Sequence, residues 1–245
     1  MFGLIATLSF VVVGAQSQDS FSHDFALKRM LPLAAAAYSD NPGECVGRLD
    51  GNVVKFYKTD CSGPLGRFAI GKAYCSAYTA LLNKEKAIVL SFRGTDSRLQ
   101  LVKEFFHPLL DKKWFGDSSV NTYFLNAFHS LFTTRTNDLD RSMFEDVRDL
   151  IRTHSGYDIW ITGHSLGGAL ASLVASYLVE SGNAEMSRIK LMTFGQPRTG
   201  DQKFAESVNK MNYAFRVIHD NDLVPQVPPK KFGYTHHKKE ESTSE

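Results

Sequence analysis

The stretch WITGHSLGGALASL, Trp160–Leu173, decides how this chain is read. The apolar and β-branched residues Ile159–Thr162 predict a buried strand, and the Ala- and Leu-rich run from Leu166 predicts a helix. Only Gly163, His164 and Ser165 stand between them. A strand that becomes a helix over so few residues needs a very tight turn, and a non-glycine residue at its apex is held in an uncommon backbone conformation that costs stability. Strain of that kind usually serves a function.

Outward from this stretch, strand and helix patterns alternate. Val53–Tyr57, Ala87–Phe92, Asp158–Thr162, Ile189–Phe194 and Ala214–Ile218 read as strands. Phe25–Tyr38 (containing Pro32), Val120–Phe132, Asp138–His154, Leu166–Glu180 and Gln202–Met211 read as helices. Such alternation predicts an α/β fold with a mainly parallel, twisted sheet covered by helices on both faces. No repeat or linker divides the chain, so residues 16–245 are expected to form one domain. With 43% hydrophobic and 12% aromatic residues in 245, the chain has enough apolar side chain for one sizeable core.

Charge excludes one class of function. Lys+Arg 28 against Asp+Glu 26 gives a net charge of +2, scattered rather than striped, so the electrostatic footprint of a nucleic-acid binder is missing. The apolar run Phe2–Val13, followed by Gly14 and Ala15, has the shape of a signal peptide over residues 1–15, although no Lys or Arg precedes it. That run is too short to span a bilayer, and no later run is long enough, so a secreted, extracellular chain without a transmembrane segment is expected. Three cysteines suit an oxidising compartment. Cys61 and Cys75 flank a Gly/Pro-rich turn beside an expected hairpin and are the favoured pair; Cys45 has no assigned partner, and three free thiols are the alternative.

On an α/β scaffold the opening stretch acquires a chemical meaning. G-x-S-x-G between a buried strand and a helix is a nucleophile elbow: the glycines leave room for the turn, and Ser165 is lifted above the carboxyl end of the sheet. The helix that follows aims its free N–H groups at the site, so the amide of Leu166 is placed to stabilise an oxyanion. A serine needs a base and an acid to orient that base, and in α/β-hydrolases the chain order is Ser, acid, His. Asp222, in the loop after the strand AFRVI, fits the acid, with Asp220 close enough to compete.

The segments SFRGTDS (91–97), GHSLGGALASL (163–173), FGQPRTGD (194–201), RVIHDNDLVPQVPP (216–229) and FGYTHH (232–237), in this order, resemble the fungal-type class 3 lipase family. The resemblance covers most of the chain from about Ala34. It implies an α/β-hydrolase fold, secretion, no metal or organic cofactor, and hydrolysis of carboxylic esters, typically acylglycerols, by a Ser-Asp-His triad. By position it implies Ser165 as nucleophile, Asp222 as acid, and Thr95 beside Leu166 in the oxyanion hole. It also implies a lid, here Ser97–Gly116, with Leu99, Val102, Phe106 and Leu109 at helical spacing. A core-facing helix would carry the same pattern.

The family's triad histidine lies several dozen residues beyond the aspartate, after a further strand and loop, whereas 23 residues follow Asp222 here. His236 and His237 alone occupy the expected order, and His236 is the candidate base. The side chain of His164 is expected to point away from the hydroxyl, and His219 is expected to be held in strand packing. Some family members tie an N-terminal cysteine to one near the C-terminus, which would leave Cys45 unpaired. Residues 238–245, KKEESTSE, lack apolar periodicity and predict a disordered tail. Two functional readings follow: an ester hydrolase acting on lipid or another ester and touching a lipid interface transiently, or a shortened, silent relative that binds lipid or a protein partner. A structural module unrelated to hydrolysis is the third and weakest.

Overall fold

A computed structural model of the chain describes residues 20–61, 74–95, 110–135 and 141–243. The expected leader and residues 97–109 of the expected lid lie outside the described residues. The strands are β1 (Asn52–Asp60), β2 (Tyr74–Leu82), β3 (Ala87–Phe92), β4 (Leu110–Lys113), β5 (Ser119–Asn121), β6 (Asp158–His164), β7 (Ile189–Phe194), β8 (Tyr213–His219) and β9 (Glu240–Thr243). The central sheet has the order β1-β2-β3-β6-β7-β8-β9. β1, β2 and β3 pair antiparallel, and from β3 onward every pairing is parallel. β4 and β5 form a separate antiparallel pair.

Strand alternation divides the core in two. Ile88, Leu90, Phe92, Ile159 and Ile161 face one apolar cluster, while Ala87, Val89 and Trp160 face the other. Helix α1, residues 23–36, covers the second face and is held by Tyr78 Oη and Ser91 Oγ, which donate to Leu33 O at 2.7 and 2.9 Å. Its turn Ala26–Met30 has the wider π register, just before Pro32. A proline has no N–H to give and crowds the carbonyl four residues back, and the widened turn accommodates both.

α2 (Gly43–Gly47) precedes β1. α3 (Thr122–Phe128), extended by a π turn at His129–Thr133, lies with α4 (Met143–Thr153) and α5 (Leu166–Glu180) on the first face. α4 starts at a capping box: the Ser142 and Glu145 side chains each accept from the other's backbone N–H. α5 is buried almost all round and packs on β3, β6 and β7, its Gly and Ala residues admitting the sheet closely. α6 (Gln202–Asn209) is capped by Asp201.

Several expectations change. The tail forms β9, in parallel register with β8 from Arg216↔Glu240 to His219↔Thr243, because an edge strand is held by backbone pairing and needs no apolar pattern. The described end of the expected lid, residues 110–116, is anchored: β4 pairs with β5, and Trp114 Nε1 donates to Ser176 Oγ of α5 at 2.9 Å within an aromatic cluster including Phe128 and Tyr177. Cys61 and Cys75 are joined by a disulfide across the β1–β2 hairpin, as the spacing suggested, and Cys45 is a free, exposed thiol.

Candidate active site

Ser165 is the single residue between β6 and α5, with φ 58° and ψ −125°. Its backbone is fixed on both sides: the N–H donates to Phe194 O of β7 at 2.9 Å, and the carbonyl accepts from Gly168 N at 2.9 Å. The turn closes only because its glycines lack side chains. A Cβ at Gly163 would meet Gly167 O at 2.3 Å, and one at Gly167 would meet Phe92 O at 2.1 Å. The Ser165 side chain is buried, and its Oγ has no hydrogen-bond partner among the described residues.

Around this hydroxyl the structure brings several of the expected residues together. Leu166 opens α5, so its N–H has no acceptor within the helix. The end of β3 runs beside the elbow: a Cβ on Gly94 would lie 3.2 Å from Ser165 Cβ and 2.3 Å from Tyr38 Oη. Thr95 follows directly, its Oγ1 buried and unpartnered among the described residues. Tyr38 Oη also bonds His164 Nδ1 at 2.7 Å. Sequence reasoning gives no signal for Tyr38, since a tyrosine at the end of a helix carries no motif.

Asp222 sits in the turn after β8. Its N–H donates to His219 O at 2.9 Å, and its Oδ1 accepts from Val224 N at 2.9 Å. The other oxygen and the elbow's histidine both lie close to Gly195, where a Cβ would come within 2.8 Å of Asp222 Oδ2 and 3.5 Å of His164 Nε2. A cavity of about 440 Å³ opens here, lined by His23, Leu27, His164, His219 and Asp222 among others. Asp220 is turned elsewhere: its Oδ1 accepts from Ser242 Oγ of β9. His219 is exposed and lines the cavity instead of being held in packing, because β8 ends there and only the short β9 continues beside it.

His236 is not brought to Ser165. Its Nε2 donates to Pro225 O at 2.9 Å, and it lines a different cavity of about 260 Å³ with Arg198, Arg216, Lys230 and His237. The two cavities share no lining residue. Burial, and then the positive Arg216, push the imidazole of His236 down to about 3. His237 is also buried and held well below its usual range by burial and Arg216. Chain order points to His236, but the bond to Pro225 O holds its ring at this second cavity. Among the described residues no group of three His, Cys, Asp or Glu is placed to hold a metal ion.

Residues 89–232 match the family model for lipase (class 3). The chain belongs to the class 3 lipase family. It is 31% identical to a lipase of Caenorhabditis elegans over 217 residues, covering 86% of this chain and 57% of that one. It is also 31% identical to a secreted mono- and diacylglycerol lipase of Fusarium solani over 166 residues, covering 67% of this chain and 46% of the relative. The chain thus spans about half the length of these relatives. Among solved structures, a triacylglycerol lipase described as having a serine protease triad as its catalytic centre superposes with a TM-score of 0.74 at 27% identity, covering 90% of this chain and 80% of that one. The fold is that of the fungal lipases, an α/β-hydrolase. No helix among the described residues is long and apolar enough to cross a membrane.

Proposed function

We propose that this lipase-family chain is a secreted carboxylic ester hydrolase of the acylglycerol type, with Ser165 as nucleophile, Asp222 as the acid that orients the base, and the N–H groups of Leu166 and Thr95 as oxyanion hole. The observation that carries the reading is the strained, buried Ser165 with an unpartnered hydroxyl at the start of α5. Attack of Oγ on the ester carbonyl gives a tetrahedral oxyanion beside those N–H groups. Collapse releases the alcohol with the serine's proton and leaves an acyl-enzyme that water hydrolyses. Leu27 and Leu31 on the rim of the Asp222 cavity, and Leu223 next to Asp222, are exposed apolar side chains that suit brief contact with a lipid surface. The apolar leader and the secreted relative from Fusarium support an extracellular location.

A second reading is a silent relative that keeps the cleft and binds lipid. It is favoured by one observation: no histidine bonds Ser165 Oγ among the described residues. Hydrolysis of p-nitrophenyl butyrate by the purified chain, beside Ser165→Ala, separates the two. For a working triad the substitution removes about 10³-fold or more of kcat. Equal rates for the two proteins would sink the hydrolase reading and leave lipid binding as the function to measure.

A further inference from the structure

The second cavity, lined by Pro225 and Gln226 of the loop after β8, is built from buried cations. Arg216, at the centre of β8, is 3% exposed, and Arg198, in the loop after β7, is 6% exposed. Burial lowers the pKa of both guanidiniums, and Arg216 acts further on Arg198, so the two charges feel each other. Among the described residues the counter-charge is Glu240 of β9, which accepts from Arg216 Nη2 at 2.5 Å and is itself 43% exposed. Lys230 and Lys238 add positive charge at the rim. Two buried cations facing one half-hydrated carboxylate are short of negative charge.

The hydrogen-bond inventory shows the same shortage. Arg198 spends Nη1 and Nη2 on the loop, donating from Nη1 to Pro228 O at 3.0 Å and from Nη2 to Gln226 Oε1 at 3.5 Å, with a further bond from Nη1 to Gln226 O. Arg216 donates from Nε to His237 O at 3.0 Å. Left without partners among the described residues are Arg198 Nε, Arg216 Nη1, His236 Nδ1 and His237 Nε2, all on residues that line this one cavity. Buried polar atoms are rarely left unpaired, and four on residues that line one cavity point to a ligand there. The chemistry of that ligand follows from His236. A carbonyl only accepts, so the bond to Pro225 O puts the proton of the neutral ring on Nε2 and leaves Nδ1 a lone-pair acceptor.

We propose that this cavity binds a protonated oxyanion of the phosphate class, its oxygens accepting from Arg198 Nε and Arg216 Nη1 and its O–H donating to His236 Nδ1. A free phosphate or the head group of a phosphatidic acid offers this pattern, whereas sulfate at neutral pH lacks the O–H. The site is separate from the Ser165–Asp222 cleft and does not rest on the hydrolase reading.

The test is calorimetry and thermal unfolding of the full chain with inorganic phosphate at fixed ionic strength, against sulfate and chloride. One saturable phosphate site is expected, with sulfate weaker by about tenfold, the discrimination carried by one buried hydrogen bond. Arg198→Gln is expected to weaken phosphate by about tenfold or more. Lys230→Gln, at the exposed rim, is expected to weaken it by a smaller factor and keeps the test open should Arg198→Gln fail to fold. Dihexanoyl phosphatidic acid competing with phosphate would assign the site to lipid head groups, and failure to compete would assign it to free phosphate. Stabilisation by phosphate no greater than by chloride, or phosphate binding untouched by Lys230→Gln and by any folded Arg198→Gln, would overturn the proposal and leave the four atoms to bound water. Sulfate binding as tightly as phosphate would overturn the role of His236.

Discussion

The elbow at Ser165 and the cation cluster around Arg216 lie near the same end of the sheet, yet they are specified in opposite ways. The elbow is local. Residues 158–180 contain its strand, its turn glycines and its helix, and the geometry follows from which of those residues lack a Cβ. The cluster is long-range: Arg198, Arg216, His236, His237 and Glu240 come from a loop, two strands and the segment between them, and nothing in their spacing announces that they meet. Strain in a local motif is visible in the sequence as a constraint on residue type. Frustration in a non-local cluster shows only when burial and partners are known.

The comparison breaks most easily at Gly167. Gly167→Ala would place a Cβ 2.1 Å from Phe92 O, a contact with backbone that no rotamer relieves, and the clash is expected to destabilise the protein by about 3 kcal/mol or more by urea unfolding. A loss under about 1 kcal/mol would show that β3 and α5 separate freely, and the elbow would not be the rigid element its sequence suggests. Removing the hairpin's staple is expected to matter slightly less. Cys61→Ala/Cys75→Ala opens a loop with a sequence separation of 14, for which loop entropy gives about 3 kcal/mol as an upper figure.

At the cluster, pH is the lever. His236 is held at about 3 in the folded protein, below its unfolded value, so the folded state binds fewer protons. The stability linked to this group is therefore present above about pH 6.5 and is lost as pH falls from there toward 3, at up to about 1.4 kcal/mol per pH unit for one proton. Arg216, Arg198 and Lys230 act on the ring in the same sense as burial, and the bond to Pro225 O opposes them. His236→Gln is expected to flatten the acid limb of the stability profile between pH 6 and 4, measured by urea unfolding at each pH. An unchanged limb would mean that His237, likewise held low, or another group carries the acid sensitivity.

What was legible in the sequence follows the same division. The bounds of β3, β7 and α5 were read correctly because a buried strand or a buried helix next to sheet-end turns has a pattern of its own. β2, YCSAYTALL, was missed as a strand although its hairpin was expected, since small and polar residues interrupt its alternation while all but its two exposed or half-buried positions are buried. β9 was missed because EEST has no apolar pattern and is held by β8. His236 was assigned by chain order, a one-dimensional argument that a single bond to Pro225 O defeats. Arg198 and Arg216 carry no such signal in the sequence, because an arginine's burial is a property of the layers packed over it.

The smallest effect separates strain from function at the elbow itself. Asp50 and Lys86 also have positive φ, at 59° and 52°, but each lies in a turn beside a strand end, where left-handed residues are common. Ser165 lies at the end of a central strand with ψ near −125°, a combination that glycine adopts far more readily. Ser165→Gly should therefore relieve about 1–3 kcal/mol of backbone strain and forfeit part of that gain to the greater freedom of glycine in the unfolded chain. The expected net result is a gain of about 1 kcal/mol in stability with ester hydrolysis reduced to the Ser165→Ala level. The sign matters more than the size. A stabilised, inactive protein would show that the strain is retained for the hydroxyl, whereas a destabilised one would show that the serine side chain contributes packing that outweighs its backbone strain.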